Sequence, residues 1–239
     1  MPLIQHLGTA YASGGGGDPE STDPFGDGSL HAYYPLNGNQ QDIVSGYHFD
    51  NRSGESWVGV PPGKHGTNAW NGTGGNWMIY TGTGPAAVTN YTISFWYRSN
   101  TQNQNNKRLV TLKANSYTMG WSNYNGSLGF YTSASYGNST SVQRQREWTD
   151  SQVNDDSWHM ITATMTSGGS WQTYIDGSQD SGTGNTNDNR SFNSGSYLAL
   201  TAYNASSSYN TQGYVDNLRI FNRVLSANEI SDLYGWENG

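Results

Sequence analysis

Gly213-Tyr-Val-Asp-Asn-Leu-Arg-Ile-Phe-Asn-Arg-Val-Leu-Ser-Ala-Asn-Glu-Ile-Ser-Asp-Leu-Tyr234 is the stretch on which the fold reading turns, because a strand pattern runs straight into a short helix. Val215, Leu218, Ile220 and Val224 mark the apolar run. Ser226 is followed three residues later by Glu229, the reciprocal arrangement in which an N-cap hydroxyl and an N3 carboxylate each satisfy an orphan backbone donor. The helix is therefore expected to start at Ser226. Leu225 and Ile230 are placed to form a hydrophobic staple, and Ile230, Leu233 and Tyr234 make one apolar face. A helix of about two turns is not stable alone and must pack on a sheet.

Other stretches support the same reading in order along the chain: Tyr34-Pro-Leu-Asn-Gly-Asn-Gln-Gln-Asp42, Gly63-Lys-His-Gly66 with Trp70-Asn-Gly72, Tyr91-Thr-Ile-Ser-Phe-Trp-Tyr97, and Ser157-Trp-His159 with Tyr174-Ile-Asp-Gly177. Together with the C-terminal stretch they resemble the signatures of laminin-G-like, concanavalin-type jelly-roll domains. The resemblance covers residues 30 to 235. It implies an all-β fold, a two-sheet antiparallel jelly-roll sandwich closed by a short C-terminal helix.

The 239 residues suit one such domain (30–239) preceded by an N-terminal arm (1–29). Only 12% of residues are charged, against about 25% in ordinary globular chains. Nine Trp and 17 Tyr supply the buried area that a hydrophobic content of 33% would otherwise leave short. A net charge of −7 argues against nucleic acid as a partner. The absence of cysteine excludes disulfides and thiolate metal sites without fixing a compartment. No apolar run reaches the roughly 18 residues of a membrane-spanning helix. Met1–Ala12 lacks a basic start and an unbroken apolar centre, so no cleaved signal is expected.

Short β-branched and aromatic runs bounded by Gly, Asn and Ser predict eleven strands: 31–36, 47–50, 76–80, 91–98, 108–113, 117–121, 127–132, 158–166, 171–176, 197–202 and 214–222. With no helices between them, parallel crossovers are excluded and two packed antiparallel sheets follow. Thr166–Ser170 reads as a hairpin turn.

No catalytic set is apparent. Some relatives of this fold are glycoside hydrolases with glutamates and an aspartate on alternate strand positions, and retaining hydrolysis needs two carboxyls about 5 to 5.5 Å apart. None of Glu20, Glu55, Glu147, Glu229 and Glu237 has an aspartate two residues later. The five histidines lack metal-ligand spacing, and His159 is expected to be structural. The resemblance further implies one structural calcium ion at the rim, held by Asp216 of the last strand and Asp42 of the loop after the first, with Asn37, Asn39 and the 63–66 turn nearby. The other reading makes Asp216 and Asp42 acceptors of backbone hydrogen bonds. For glycans, aromatic faces beside amide groups in loops single out Tyr203, Asn204, Tyr209 and Asn210, then Trp121 and Tyr124. Trp96, Trp158 and Trp171 read as core.

The arm carries Leu3, Ile4 and Leu7 ahead of Gly14–Gly17 and is expected either to fold back on its domain or to dock on a partner. It is similar in style to the starts of small structural proteins of tailed bacteriophages. That resemblance implies a non-enzymatic virion surface protein, a capsid decoration or tail or fibre component. Its arm would contact capsid or tail proteins, its jelly roll would bind host-surface glycans weakly, and a homo-oligomer fits such a role. Membrane insertion is not part of this reading. The alternative is a secreted or cell-surface carbohydrate-binding module, for which the arm is dispensable.

Overall fold

The computed structural model describes residues 23–54, 57–58, 63–82, 90–104, 107–114, 117–124, 127–133, 142–166, 170–185, 196–201 and 210–238. The strands among them run β1 (Leu30–Tyr34), β2 (Asn51–Ser53), β3 (Trp57–Val58), β4 (Ala69–Asn71), β5 (Trp77–Thr81), β6 (Tyr91–Arg98), β7 (Lys107–Ala114) and β8 (Tyr117–Tyr124). They continue with β9 (Ser127–Ser133), β10 (Val142–Thr149), β11 (His159–Met165), β12 (Ser170–Ile175), β13 (Ser178–Asn185), β14 (Ser196–Leu200) and β15 (Tyr214–Phe221). A single turn, α1 (Asp150–Val153), follows β10, and α2 (Ala227–Asn238) follows β15. One sheet has the order β13-β12-β11-β6-β15-β4-β3, with β1 also on β15; the other has the order β10-β9-β8-β7-β14-β5-β2. The strand pairings between these elements are antiparallel. The expected two-sheet sandwich with a C-terminal helix is the fold.

Alternation builds the interior. Ile93, Phe95 and Tyr97 of β6 and Ile161 and Ala163 of β11 meet Val110, Leu112, Trp121, Phe130, Leu198 and Leu200 of the second sheet. In β15 the alternation is broken once. Asn217 has φ +46, and the register to β6 shifts between Asp216 and Arg219. This bulge lets Val215, Leu218 and Ile220 all join the core while Arg219 and Phe221 take the opposite face. It accounts for the irregular spacing of apolar residues in that stretch.

The opposite face of the first sheet is covered by α2. Leu30, Tyr33, Trp96, Met160, Tyr174 and Phe221 form a second apolar cluster with Leu225, Ile230 and Leu233. The capping box is made: Glu229 accepts the Ser226 N–H at 2.7 Å, and the Ser226 hydroxyl accepts the Glu229 N–H at 3.3 Å. Ser226 is the cap and α2 runs 12 residues, a turn more than the apolar spacing indicated. The extra turn carries Glu237, which reaches under the helix to pair with Arg219 and accept the Trp96 indole N–H. Both charged side chains are 1% exposed. The Arg219 guanidinium also lies 4.0 Å from the Tyr33 ring centre.

The sequence reading missed β3, β4, β10 and β13 and misplaced β2. Tyr47–Asp50 is irregular, and the strand begins at Asn51. Among the missed strands, β10 (VQRQREWT) and β13 (SQDSGTGN) lie at sheet edges, where one ladder suffices and polar residues protect the open side. The turn between β12 and β13 is the two-residue Asp176-Gly177, both at positive φ (+50 and +73), the geometry whose twist suits a hairpin. A Cβ on Gly177 would lie 2.8 Å from the Tyr234 side chain, so helix and turn touch only because glycine is there.

Residues 23–29, assigned from sequence to the arm, pack on the sandwich. The Phe25 ring is 5.6 Å from that of Phe221, Asp27 pairs with Arg223 at 2.8 Å, and the Asn222 N–H donates to the Ser29 carbonyl at 2.9 Å. Leu3, Ile4 and Leu7 lie outside the described residues.

Removing one member of a buried ion pair strands the other charge in a dry site, whereas replacing both with apolar groups does not. Glu237→Ala is therefore expected to lower unfolding free energy by about 3–5 kcal/mol in urea denaturation. The double variant Arg219→Met/Glu237→Leu should recover most of that loss. Equal destabilisation by single and double variants would refute the pairing.

Candidate functional site

The structure separates the residues that the sequence grouped as a glycan site. Trp121 is fully buried in the middle of β8, its ring 4.9 Å from Phe95 and 5.3 Å from Phe130, so it is a core residue and not a ligand platform. The predicted strand 117–121 ends on Trp121 and leaves it at the start of a loop, whereas β8 runs on to Tyr124 and its two-residue period turns the ring inward. Asn210 is buried as well and donates its side-chain amide to the Asn76 carbonyl. Tyr124 is the last residue of β8, opposite Ser127. Tyr203, Asn204 and Tyr209 lie outside the described residues.

Asp42 and Asp216 are both buried, but their oxygens are engaged by backbone amides. Asp42 Oδ1 accepts from Tyr33 and Val44 at 2.9 and 3.0 Å, and Oδ2 from Ser45 and Tyr47 at 3.1 and 3.0 Å. Asp216 accepts the His65 and Asn217 amides at 3.1 and 3.0 Å. Asn37 Oδ1 accepts those of Thr67 and Asn68, each at 3.1 Å. Four N–H dipoles aimed at one carboxylate present positive ends where a cation would have to sit, so Asp42 does not fit as a calcium ligand. Among the described residues, no three His, Cys, Asp or Glu side chains are grouped to hold a metal ion. The hydrogen-bonding alternative is what the geometry supports: Asp42 and Asp216 organise loops.

The loop Asp42 organises carries the most promising surface. Its Ile43 N–H donates to the Tyr33 carbonyl at 2.9 Å, and the Ser45 hydroxyl donates to that of His31 at 2.7 Å, closing the open edge of β1. Ile43 and Val44, 43% and 44% exposed, sit at its tip. Behind them runs a row of half-buried rings across the gap between the two sheets. Tyr47 lies 5.6 Å from His31 and 5.7 Å from Tyr80, centre to centre. Exposed Asp50 accepts the Thr81 hydroxyl at 2.7 Å one residue further along β5, where strand alternation turns Thr81 to the face opposite Tyr80. Half-buried ring faces with their tyrosine hydroxyls can take the face of a sugar and its hydroxyls together. Sequence reading placed Tyr47 and Tyr80 in strands and passed over them. Their signal was position, since each stands at an edge of the sandwich.

A family profile described as the concanavalin A-like lectin/glucanases superfamily matches residues 71–231. The chain belongs to that family. No curated protein sequence matches it significantly. Among solved structures, this concanavalin A-like chain is similar to domain 4 of AbnA, a GH43 extracellular arabinanase from Geobacillus stearothermophilus, solved in complex with arabinotriose. The TM-score is 0.66 at 16% identity, covering 86% of this chain and 98% of that one. It is similar to the binding domain of Paraclostridial Mosquitocidal Protein 1 (TM-score 0.62, 16% identity, 86% and 51% covered). It is likewise similar to the binding domain of Botulinum neurotoxin DC in complex with SialylT (TM-score 0.57, 17% identity, 88% and 52% covered). The chain spans about half the length of the two toxin binding domains. At these identities the likeness shows the fold; the two toxin neighbours are binding domains.

Two histidines of the concanavalin A-like domain titrate in opposite senses. His159 bridges Asp176 (Nδ1 to Oδ2, 2.8 Å) and Asp155 (Nε2 to Oδ1, 3.1 Å). Burial opposes its charged form, but hydrogen bonds and attraction from the two carboxylates win, and its pKa rises. His65 is pushed down to about 4 by burial and by the nearby Lys64 and Arg219 charges. A raised histidine stabilises the fold at pH below its unfolded value of 6.5, and that contribution is lost as pH climbs through the folded pKa. A depressed one favours the fold above 6.5, and its contribution declines as pH falls towards 4.

Thermal melts across pH should therefore show His65→Gln flattening the loss of stability between 6.5 and about 4, and His159→Gln removing a loss on the alkaline side of 6.5. Unchanged profiles in both variants would contradict these assignments. Asp42→Ala, which leaves four amides without their acceptor, is expected to cost on the order of 3 kcal/mol. Adding calcium or EDTA should leave the wild-type melting temperature unmoved; a calcium-dependent rise would restore the metal reading.

Proposed function

We propose that this protein is a non-catalytic carbohydrate-binding module. The observation that carries the reading is the His31–Tyr47–Tyr80 ring row across the gap between the sheets. Rings held at fixed positions by a hydrogen-bonded loop lose little freedom when a sugar stacks on them, so the stacking energy goes into affinity. The neighbours lend support, since AbnA domain 4 was solved with arabinotriose and the neurotoxin DC domain with SialylT. The spacing of the five glutamates supports a module that binds and does not cleave. Attachment of Leu3, Ile4 and Leu7 to a capsid or tail protein is a separate reading of the arm, and the ring row stands without it.

Calorimetric titration with a panel of neutral oligosaccharides, arabinotriose among them, tests the proposal. At least one should bind. Tyr47→Ala and Tyr80→Ala should each weaken that binding about tenfold, a loss of ~1.4 kcal/mol, while circular dichroism shows the fold retained. Undiminished affinity in both folded variants would remove the ring row as the site.

A further inference from the structure

The chain has three lysines, Lys64, Lys107 and Lys113. Lys64 stands in the 63–66 turn, which Asp216 holds through the His65 amide at 3.1 Å. Its half-buried side chain reaches the end of α2. There the ammonium lies 4.4 Å from the centre of the Trp96 ring and donates to the Asn238 side-chain oxygen at 2.7 Å. Among the described residues no carboxylate forms an ion pair with it, because the two that attract it, Asp176 and Asp216, are engaged elsewhere. Asp176 accepts the Met160 amide at 2.9 Å and bonds His159 at 2.8 Å, while Asp216 accepts the His65 and Asn217 amides. The Asn238 amide that receives the ammonium also donates, through Nδ2, to the Tyr234 hydroxyl at 3.5 Å, and the Tyr234 ring stacks on Trp96 at 5.7 Å. One tryptophan ring and one side-chain amide therefore bring an amine and a phenol together, and Lys64 and Tyr234 are both partly open to solvent.

We propose that Lys64 captures small sugar aldehydes covalently, its amine forming an imine while the Tyr234 hydroxyl supplies a proton. This site lies on the α2 side of the first sheet and is independent of the ring row. The Lys64 nitrogen adds its electron pair to the aldehyde carbon, and one nitrogen-bound hydrogen ends on the carbonyl oxygen. The resulting carbinolamine must lose its hydroxyl, a poor leaving group until it is protonated. Tyr234 donates that proton, water leaves, and the last nitrogen-bound hydrogen returns to the phenolate. Amine and aldehyde become imine and water, with no oxidant or reductant consumed. The surroundings suit both roles. Burial lowers the Lys64 pKa and outweighs the attraction of Asp176 and Asp216, so more of the neutral, nucleophilic amine is present than at an open lysine. Burial and the Asp176 charge raise the Tyr234 pKa and keep its hydroxyl protonated. The Trp96 ring attracts the resting ammonium and fixes its position.

Incubation of the full chain with D-glyceraldehyde and cyanoborohydride at neutral pH, followed by peptide mass spectrometry, tests the inference, with Lys107 and Lys113 of β7 as internal references. Cyanoborohydride reduces the imine to a stable secondary amine and so records its formation. Lys64 should be labelled at least about threefold faster than either reference. Tyr234→Phe, which keeps a ring against Trp96, should slow Lys64 labelling roughly tenfold and leave the references unchanged. Acetylation of Lys64 by acetic anhydride expels acetate and needs no such proton, so the same variant should leave its rate unaltered. Lys64 labelled no faster than Lys107 and Lys113 overturns the inference. Aldehyde labelling of Lys64 that Tyr234→Phe leaves untouched also overturns it, as does equal slowing of labelling and acetylation, the mark of a displaced lysine.

Discussion

One extra residue in the last strand is the constraint on which the rest of the structure depends. Asn217 sits in β15 at φ +46, in the small left-handed region where asparagine is tolerated better than most side chains. Because it is inserted, Val215, Leu218 and Ile220 all face the sandwich interior while Arg219 and Phe221 face the helix. Without the bulge, the period of two would turn Leu218 and Ile220 out of the core and Arg219 into it. The bulge is held from outside by the Tyr33 hydroxyl, which donates to Asn217 Oδ1 at 2.9 Å. Asp216, just before it, grips the 63–66 turn through the His65 amide.

The helix-covered face follows from that register. Arg219 is brought to a place where only a buried acid can balance it, and Glu237 is that acid. Desolvating both ions costs several kcal/mol, so the pair adds little net stability, but an unpaired partner would be far worse. The pair therefore selects one position for α2 more than it strengthens the fold. Trp96 makes the selection tighter. Its indole N–H meets Glu237, Tyr234 stacks on it at 5.7 Å and the Lys64 ammonium lies 4.4 Å from its ring. Helix, turn and sheet meet on a single side chain.

The same division of labour separates architecture from recognition. The outer face of the first sheet is covered by α2, whose Glu229 and Glu237 are held in contacts within the fold. The edge loop centred on Asp42 is rigid for a different reason: one carboxylate gathers four amides that would otherwise need strand partners. That rigidity makes the neighbouring ring row a fixed platform instead of a mobile one.

Much of the architecture was legible in residue order alone. Aromatic and β-branched runs between turn residues marked the central strands, because burial on one face demands them. The Ser226 and Glu229 pair marked the helix start, because capping is local. The hairpin turn between Thr166 and Ser170, which joins β11 to β12, was readable for the same reason. Edge strands β10 and β13 were not, since an edge position makes no demand for apolar residues. The sites were less legible still. Trp121 and Asn210 looked available as members of polar stretches, and only pairing with neighbouring strands decided that both are buried. The family resemblance implied Asp42 and Asp216 as cation ligands, and only the tertiary structure shows the backbone amides that converge on both. Such contacts are not local, because neighbours in a sheet are set by hydrogen-bonded pairing between distant segments. Local chemistry thus determined which elements form. Long-range pairing determined which side chains remain free to meet a ligand.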